Sequence, residues 1–166
     1  MTADKIYLVG FMAAGKTTVG EALAARTSWR AFDLDAEIEA TEHQTVAEVF
    51  ASKGEAYFRA REREALLRLL PERHAIVATG GGTFVDPANR SAILADGCSI
   101  WLDLTFKAVV ARLPTDGRRP LAANREQLEA LYYARRSCYE LCHLRVEVTA
   151  LAVEAIVEQI LDRVNW

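Results

Sequence analysis

The run Gly10-Phe11-Met12-Ala13-Ala14-Gly15-Lys16-Thr17 constrains this chain more than any other feature, because it fits G-x-x-x-x-G-K-[ST] at every fixed position. Its surroundings strengthen it. Ile6-Tyr7-Leu8-Val9 is a short apolar run that reads as a buried strand, and Lys16 to about Thr27 reads as a helix with Val19, Ala22 and Leu23 on one side. A loop between such a strand and such a helix can turn backbone N–H groups toward phosphate oxygens, with the helix dipole facing the same anion. Lys16 then offers a positive charge for the β- and γ-phosphates, and Thr17 a hydroxyl for Mg²⁺. A nucleoside triphosphate site follows.

The rest of the chain alternates strand-like and helix-like stretches, as a parallel sheet with helices on its faces requires. Further strands are expected at Ala31–Asp33, Ala75–Ala78, Ser99–Leu102 and Leu144–Val148. Two or three helices are expected between Asp35 and Leu70, with breaks near His43-Gln44 and Gly54. Others are expected from Pro87 to about Ala95, Phe106 to Leu113, Glu126 to Cys142 and Ala152 to Val164. Residues 114–124, with Gly117, two prolines and two arginines, read as a loop. At 166 residues, 51% hydrophobic and 26% charged, the chain suits one soluble domain, 1–166. A formal net charge of −3 gives no reason to expect nucleic acid, and no apolar run is long enough to span a bilayer. Cys98, Cys138 and Cys142 cannot all pair with one another, so a reduced, cytoplasmic monomer is expected. Cys138, Cys142 and His143 lack a fourth partner at a zinc-like spacing.

Which molecule accepts the phosphoryl group must come from elsewhere. No N-K-x-D tetrapeptide reads guanine, and the chain is short for a motor or AAA-type ATPase. Asp33 and Asp35 stand just past the carboxyl end of an expected strand, where open α/β sheets bind ligands. The two carboxylates are expected to do two jobs rather than form one metal clamp; the alternative is that Asp35 merely caps the next helix. Arg59 and Glu62 are three apart and share a helix face, either as a site or as a solvated ion pair. Gly80-Gly81-Gly82 permits close backbone approach and positive φ, or is a flexible loop.

These pieces, with Gly54-Glu55-Ala56-Tyr57-Phe58-Arg59, Arg119-Pro120-Leu121 and Arg135 four residues before Tyr139, resemble the shikimate kinase family in order and spacing over nearly the whole chain. The resemblance implies an α/β/α sandwich of the nucleoside monophosphate kinase type, strand order 2-3-1-4-5. It implies transfer of the ATP γ-phosphoryl group to the 3-hydroxyl of shikimate, in aromatic amino-acid biosynthesis. ATP would bind through Gly10, Ala13, Ala14, Gly15, Lys16, Thr17, Thr18, Arg112 and Arg119. Mg²⁺ would be held by Thr17 and, through water, Asp33. Shikimate would contact Asp35, Arg59, Gly80, Gly81, Gly82 and Arg135, with Glu62 orienting Arg59. Lys16, Asp35 and Arg119 would carry catalysis. The acceptor region would be about 34–62 and a mobile lid about 114–124. Arg118 competes with Arg119 for the lid role, and Arg136 stands beside Arg135. Ala13 replaces a glycine usual in the family. A kinase for gluconate or another acid and a silent ATP-binding module remain the alternatives.

Overall fold

The computed structural model describes residues 3–113 and 125–164. Its five strands form one sheet in the order β2-β3-β1-β4-β5. The strands are β1 (Lys5–Val9), β2 (Arg30–Asp33), β3 (Ala75–Ala78), β4 (Cys98–Asp103) and β5 (Leu144–Glu147). Every pairing is parallel: Ile6 lies opposite Ile76 and Cys98, Phe32 opposite Val77, and Trp101 opposite Arg145. Strands β1, β3 and β4 are buried along their whole length. Parallel strands covered on both faces read as near-continuous apolar runs, which is why they are legible as such in the sequence. The edge strands β2 and β5 alternate or face solvent.

Helices α1 (Lys16–Thr27), α2 (Leu34–Glu42), α3 (Val46–Leu69), α4 (Pro87–Asp96), α5 (Phe106–Arg112), α6 (Arg125–Tyr139) and α7 (Val153–Arg163) connect and cover the strands. Local chemistry starts most of them. Asp33, Thr45, Asp86 and Thr105 accept backbone N–H bonds at the first turns of α2, α3, α4 and α5, and Thr45 with Glu48 completes a capping box. The expected break at Gly54 is a kink: α3 runs through it, with Gly54 alone at φ 83°, ψ 172°. The last helix before β5 ends at Tyr139, earlier than the expected Cys142. All three cysteines are free, and Trp101 is buried in the core. Among the described residues no helix is long and apolar enough to cross a membrane.

One polar cluster sits beneath this core at the amino ends of the strands. Lys5, fully buried, donates to Leu69 O at 2.5 Å and Leu70 O at 3.2 Å and pairs with Asp96 at 2.7 Å. Tyr7 Oη donates to the same Asp96 carboxylate at 2.5 Å. The opposite end of the sheet carries the loops after β1, β2, β3 and β4, and the site lies there.

Candidate active site

The loop after β1 is built from backbone. Gly15 is left-handed at φ 87° and precedes α1, whose start is capped by no side chain and has no acidic residue in its first turn. Helices α2 to α5 close their amino ends with Asp or Thr. The α1 terminus instead keeps its N–H groups and positive dipole for an anion. Lys16 Nζ donates to Gly10 O at 2.8 Å and Phe11 O at 2.9 Å, folding across the mouth of the loop. Ala13 takes φ 64°, so it occupies the left-handed conformation a glycine would hold without strain. Arg112, at the end of α5, reaches Ala13 O at 3.2 Å and so stands beside this loop.

Asp33 ties the starts of α1 and α2 together. Its Oδ1 accepts from Asp35 N at 2.9 Å and Ala36 N at 3.2 Å, while Oδ2 accepts from Thr17 Oγ1. The helix cap therefore belongs to Asp33, not Asp35, because the residue with extended backbone is the one at the strand end. Thr17 and Asp33 thereby bring a hydroxyl and a carboxylate together, hard oxygen donors suited to Mg²⁺. Among the described residues no group of three or more His, Cys, Asp or Glu could hold a metal.

Asp35 instead lines a cavity of about 410 Å³ beside the loop, within the usual range for small ligands. Arg59, Glu62, Arg135 and Gly80 to Gly82 line it as well, and Val46, Phe50, Phe58 and Met12 supply an apolar wall. Glu62 is 1% exposed and uses both oxygens: Arg59 Nη1 donates to Oε2 at 2.9 Å, and Thr83 Oγ1 to Oε1 at 2.6 Å. Arg59 is thus aimed by a buried carboxylate, and its Nη2 lies 3.5 Å from Glu55. The i,i+3 pair is no solvated surface feature.

The three glycines are needed for space. None of them has positive φ, contrary to that part of the sequence expectation. A Cβ on Gly80 would lie 2.6 Å from Glu62 Oε1, and one on Gly81 3.1 Å from Arg135 Nη1. One on Gly82 would fall 2.6 Å from Arg59 Nη2.

Arg135 and Arg136 separate cleanly. Arg135, 7% exposed, comes from α6 to the cavity with its guanidinium 5.8 Å from the Phe11 ring. Arg136 turns to Asp103, bonding it at 2.6 and 3.2 Å. Tyr139, one turn after Arg135, is buried and donates to Gly81 O at 2.5 Å; burial pushes its phenol well above the usual range. That strut, Thr83 and the apolar wall carry no local signature beyond hydrophobicity and proximity to the glycines. Arg118 and Arg119, with the rest of 114–124, lie outside the described residues.

Side by side, then, stand a phosphate loop and a small cavity bearing the guanidinium groups of Arg59 and Arg135 with the carboxylates of Asp35, Glu39 and Glu62. A family model described as shikimate kinase matches residues 12–165. A shikimate kinase of Persephonella marina is 38% identical over 161 residues, covering 96% of this chain and 98% of the relative. The solved structure of shikimate kinase from Acinetobacter baumannii in complex with shikimate superposes with a TM-score of 0.92 at 33% identity, covering 97% of this chain and 92% of that one. A gluconokinase from Sinorhizobium meliloti reaches a TM-score of 0.60 at 16% identity and shares the fold alone.

Proposed function

The chain belongs to the shikimate kinase family, and from that premise we propose how its residues divide the transfer of the ATP γ-phosphoryl group to the 3-hydroxyl of shikimate. Backbone N–H groups from Ala13 to Thr18 cradle the phosphates, with Gly10 and Gly15 shaping the turn. Lys16 leaves the carbonyls of Gly10 and Phe11 for the β- and γ-phosphate oxygens. Arg112 flanks the nucleotide on the side of Ala13. Arg119 would stabilise the charge that develops on the phosphates during transfer. Thr17 and, through water, Asp33 would hold Mg²⁺, which would supply charge neutralisation on the phosphates.

In the neighbouring cavity Arg59 and Arg135 grip the acceptor carboxylate, the natural partner of a planar guanidinium. Glu62 keeps Arg59 aimed, and the backbone of Gly80 to Gly82 lets substrate and arginines approach one another. Asp35 orients the 3-hydroxyl and accepts its proton as the oxygen bonds to the γ-phosphorus and the bond to the bridging oxygen of ADP breaks. Positioning and charge stabilisation supply the rate. The observation that carries this division is the convergence of Arg59 from α3 and Arg135 from α6 on one cavity that also holds Asp35, beside the phosphate loop.

The test is coupled ADP release with Mg-ATP, comparing shikimate, gluconate, nucleoside monophosphates and no acceptor. Turnover with shikimate alone, abolished in Lys16→Ala, is expected. Turnover with gluconate equal to that with shikimate, or full activity in Lys16→Ala, would refute the assignment.

A further inference from the structure

The half-buried pair Asp103–Arg136 has no part in the division of labour above, although it joins β4 to α6, the helix that carries Arg135. Asp103 ends β4 and is 6% exposed. Arg136 grips it with both terminal nitrogens, at 2.6 and 3.2 Å. The guanidinium also donates to Tyr132 Oη at 2.8 Å and lies 4.7 Å from the Trp101 ring. Arg145 on β5 completes the cluster, with Nε 2.9 Å from the same carboxylate and the guanidinium 5.1 Å from Trp101.

Residues 132, 135, 136 and 139 are spaced so that all four share one face of α6. Three of them are fastened to fixed points. Tyr132 Oη donates to Leu104 O at 2.8 Å, Arg136 holds Asp103, and Tyr139 Oη holds Gly81 O. Arg135 is the member of this face that reaches the cavity. Its guanidinium position therefore depends on the rotation of α6, which the bonds on either side set. A forked, two-point ion pair resists rotation as a single contact cannot.

We propose that Asp103 and Arg136 are positioning residues for acceptor binding: their forked pair locks the rotation of α6 and thereby places Arg135 against the acceptor carboxylate. Arg136 thus does its work without touching substrate. The inference rests on the reading that Arg135 binds shikimate. Arg145 provides the internal control, because it grips the same carboxylate from β5 and not from α6.

The experiment compares the full-length variants Arg136→Lys, Asp103→Asn, Arg145→Lys and Arg135→Lys by steady-state kinetics in both substrates and by thermal midpoint. Lysine keeps the charge of Arg136 but cannot make the fork. Arg136→Lys is expected to raise KM for shikimate about fivefold to tenfold and to leave KM for ATP within about twofold. Asp103→Asn should show the same split. Arg145→Lys should lower the thermal midpoint while leaving both KM values within about twofold. Equal rises in both KM values for Arg136→Lys, or a lowered midpoint with neither KM changed, would overturn the proposal. So would a matching shikimate defect in Arg145→Lys. An unchanged shikimate KM in Arg135→Lys would overturn the underlying reading instead, and a defect in Arg135→Lys without one in Arg136→Lys would overturn the positioning role alone.

Discussion

Replacing Gly82 by alanine drives a methyl carbon into Nη1 of Arg59 and places it 2.6 Å from Nη2 and 2.7 Å from Cζ. Ordinary contact between heavy atoms begins near 3.4 Å, so the guanidinium must retreat by about 1 Å. The backbone of residue 82 imposes no penalty, since its φ is not positive. Arg59 can retreat because it is the far end of a flexible chain with 29% of its side chain exposed. The fold therefore loses only part of the Arg59–Glu62 contact, about 1 kcal/mol, which lowers the thermal midpoint by about 2–4 °C in a chain of this size. Binding loses more. One charge-assisted hydrogen bond to the acceptor carboxylate is worth about 1.5–3 kcal/mol, so KM for shikimate should rise about 10- to 150-fold. The phosphate loop is untouched, and KM for ATP should stay within about twofold. Coupled ADP release with each substrate varied in turn measures both, and scanning calorimetry measures the midpoint. A shikimate KM within about threefold of the parent would refute the argument that the position of the Arg59 guanidinium governs acceptor binding.

Asp35→Asn keeps the shape of the cavity but removes the proton acceptor, so kcat should fall about 10²- to 10⁴-fold with little change in KM for ATP; an unchanged kcat removes Asp35 from the chemistry. Ala13→Gly relieves a left-handed alanine costing about 1–2 kcal/mol, while the greater freedom of glycine in the unfolded chain returns about 0.5–1 kcal/mol. The thermal midpoint should therefore rise by about 1–4 °C, and a lower midpoint would contradict the φ of 64°. In the cluster beneath the sheet, burial pushes the Asp96 carboxyl up, but the hydrogen bonds from Lys5 and Tyr7 and the charges of Lys5 and Arg73 outweigh it, leaving its folded value below the usual one. A carboxyl lowered on folding contributes stability that is present above its unfolded value and lost as pH falls through its folded value. Asp96→Asn should accordingly lower the midpoint at neutral pH and flatten its decline between about pH 5 and pH 2, read from calorimetry across that range. An unaltered slope would show that this carboxylate is not linked to folding.

Much of this architecture was legible before any coordinates. The buried strands β1, β3 and β4 hold the apolar runs Ile6–Val9, Ala75–Ala78 and Ile100–Leu102 that mark them in the sequence. The phosphate loop is equally local: strand, turn and helix are contiguous, and each fixed residue acts through its own backbone or a short reach. Residues of this kind obey short-range rules, so the order of amino acids is sufficient to place them.

Other choices depend on contacts between segments far apart in the chain. Arg135 and Arg136 are chemically identical neighbours, and only the rotation of α6 against β4 sends one to the cavity and the other to Asp103. Asp33 and Asp35 differ by two positions, yet the strand end gives the first both the cap and Thr17 and turns the second into the cavity. The glycines after β3 look like a flexible turn in isolation; the crowding that requires them comes from Glu62, Arg59 and Arg135, which arrive from two other helices. Lys5 at the head of a buried strand looks like a boundary charge until Asp96 and the carbonyls of Leu69 and Leu70 close around it. The sequence alone thus determined the sheet, the phosphate loop and the class of chemistry, because these follow from local periodicity and backbone geometry. Tertiary structure alone decided which of two like side chains faces the cavity, because on a helix each residue turns by about 100° and long-range packing sets the zero of that rotation.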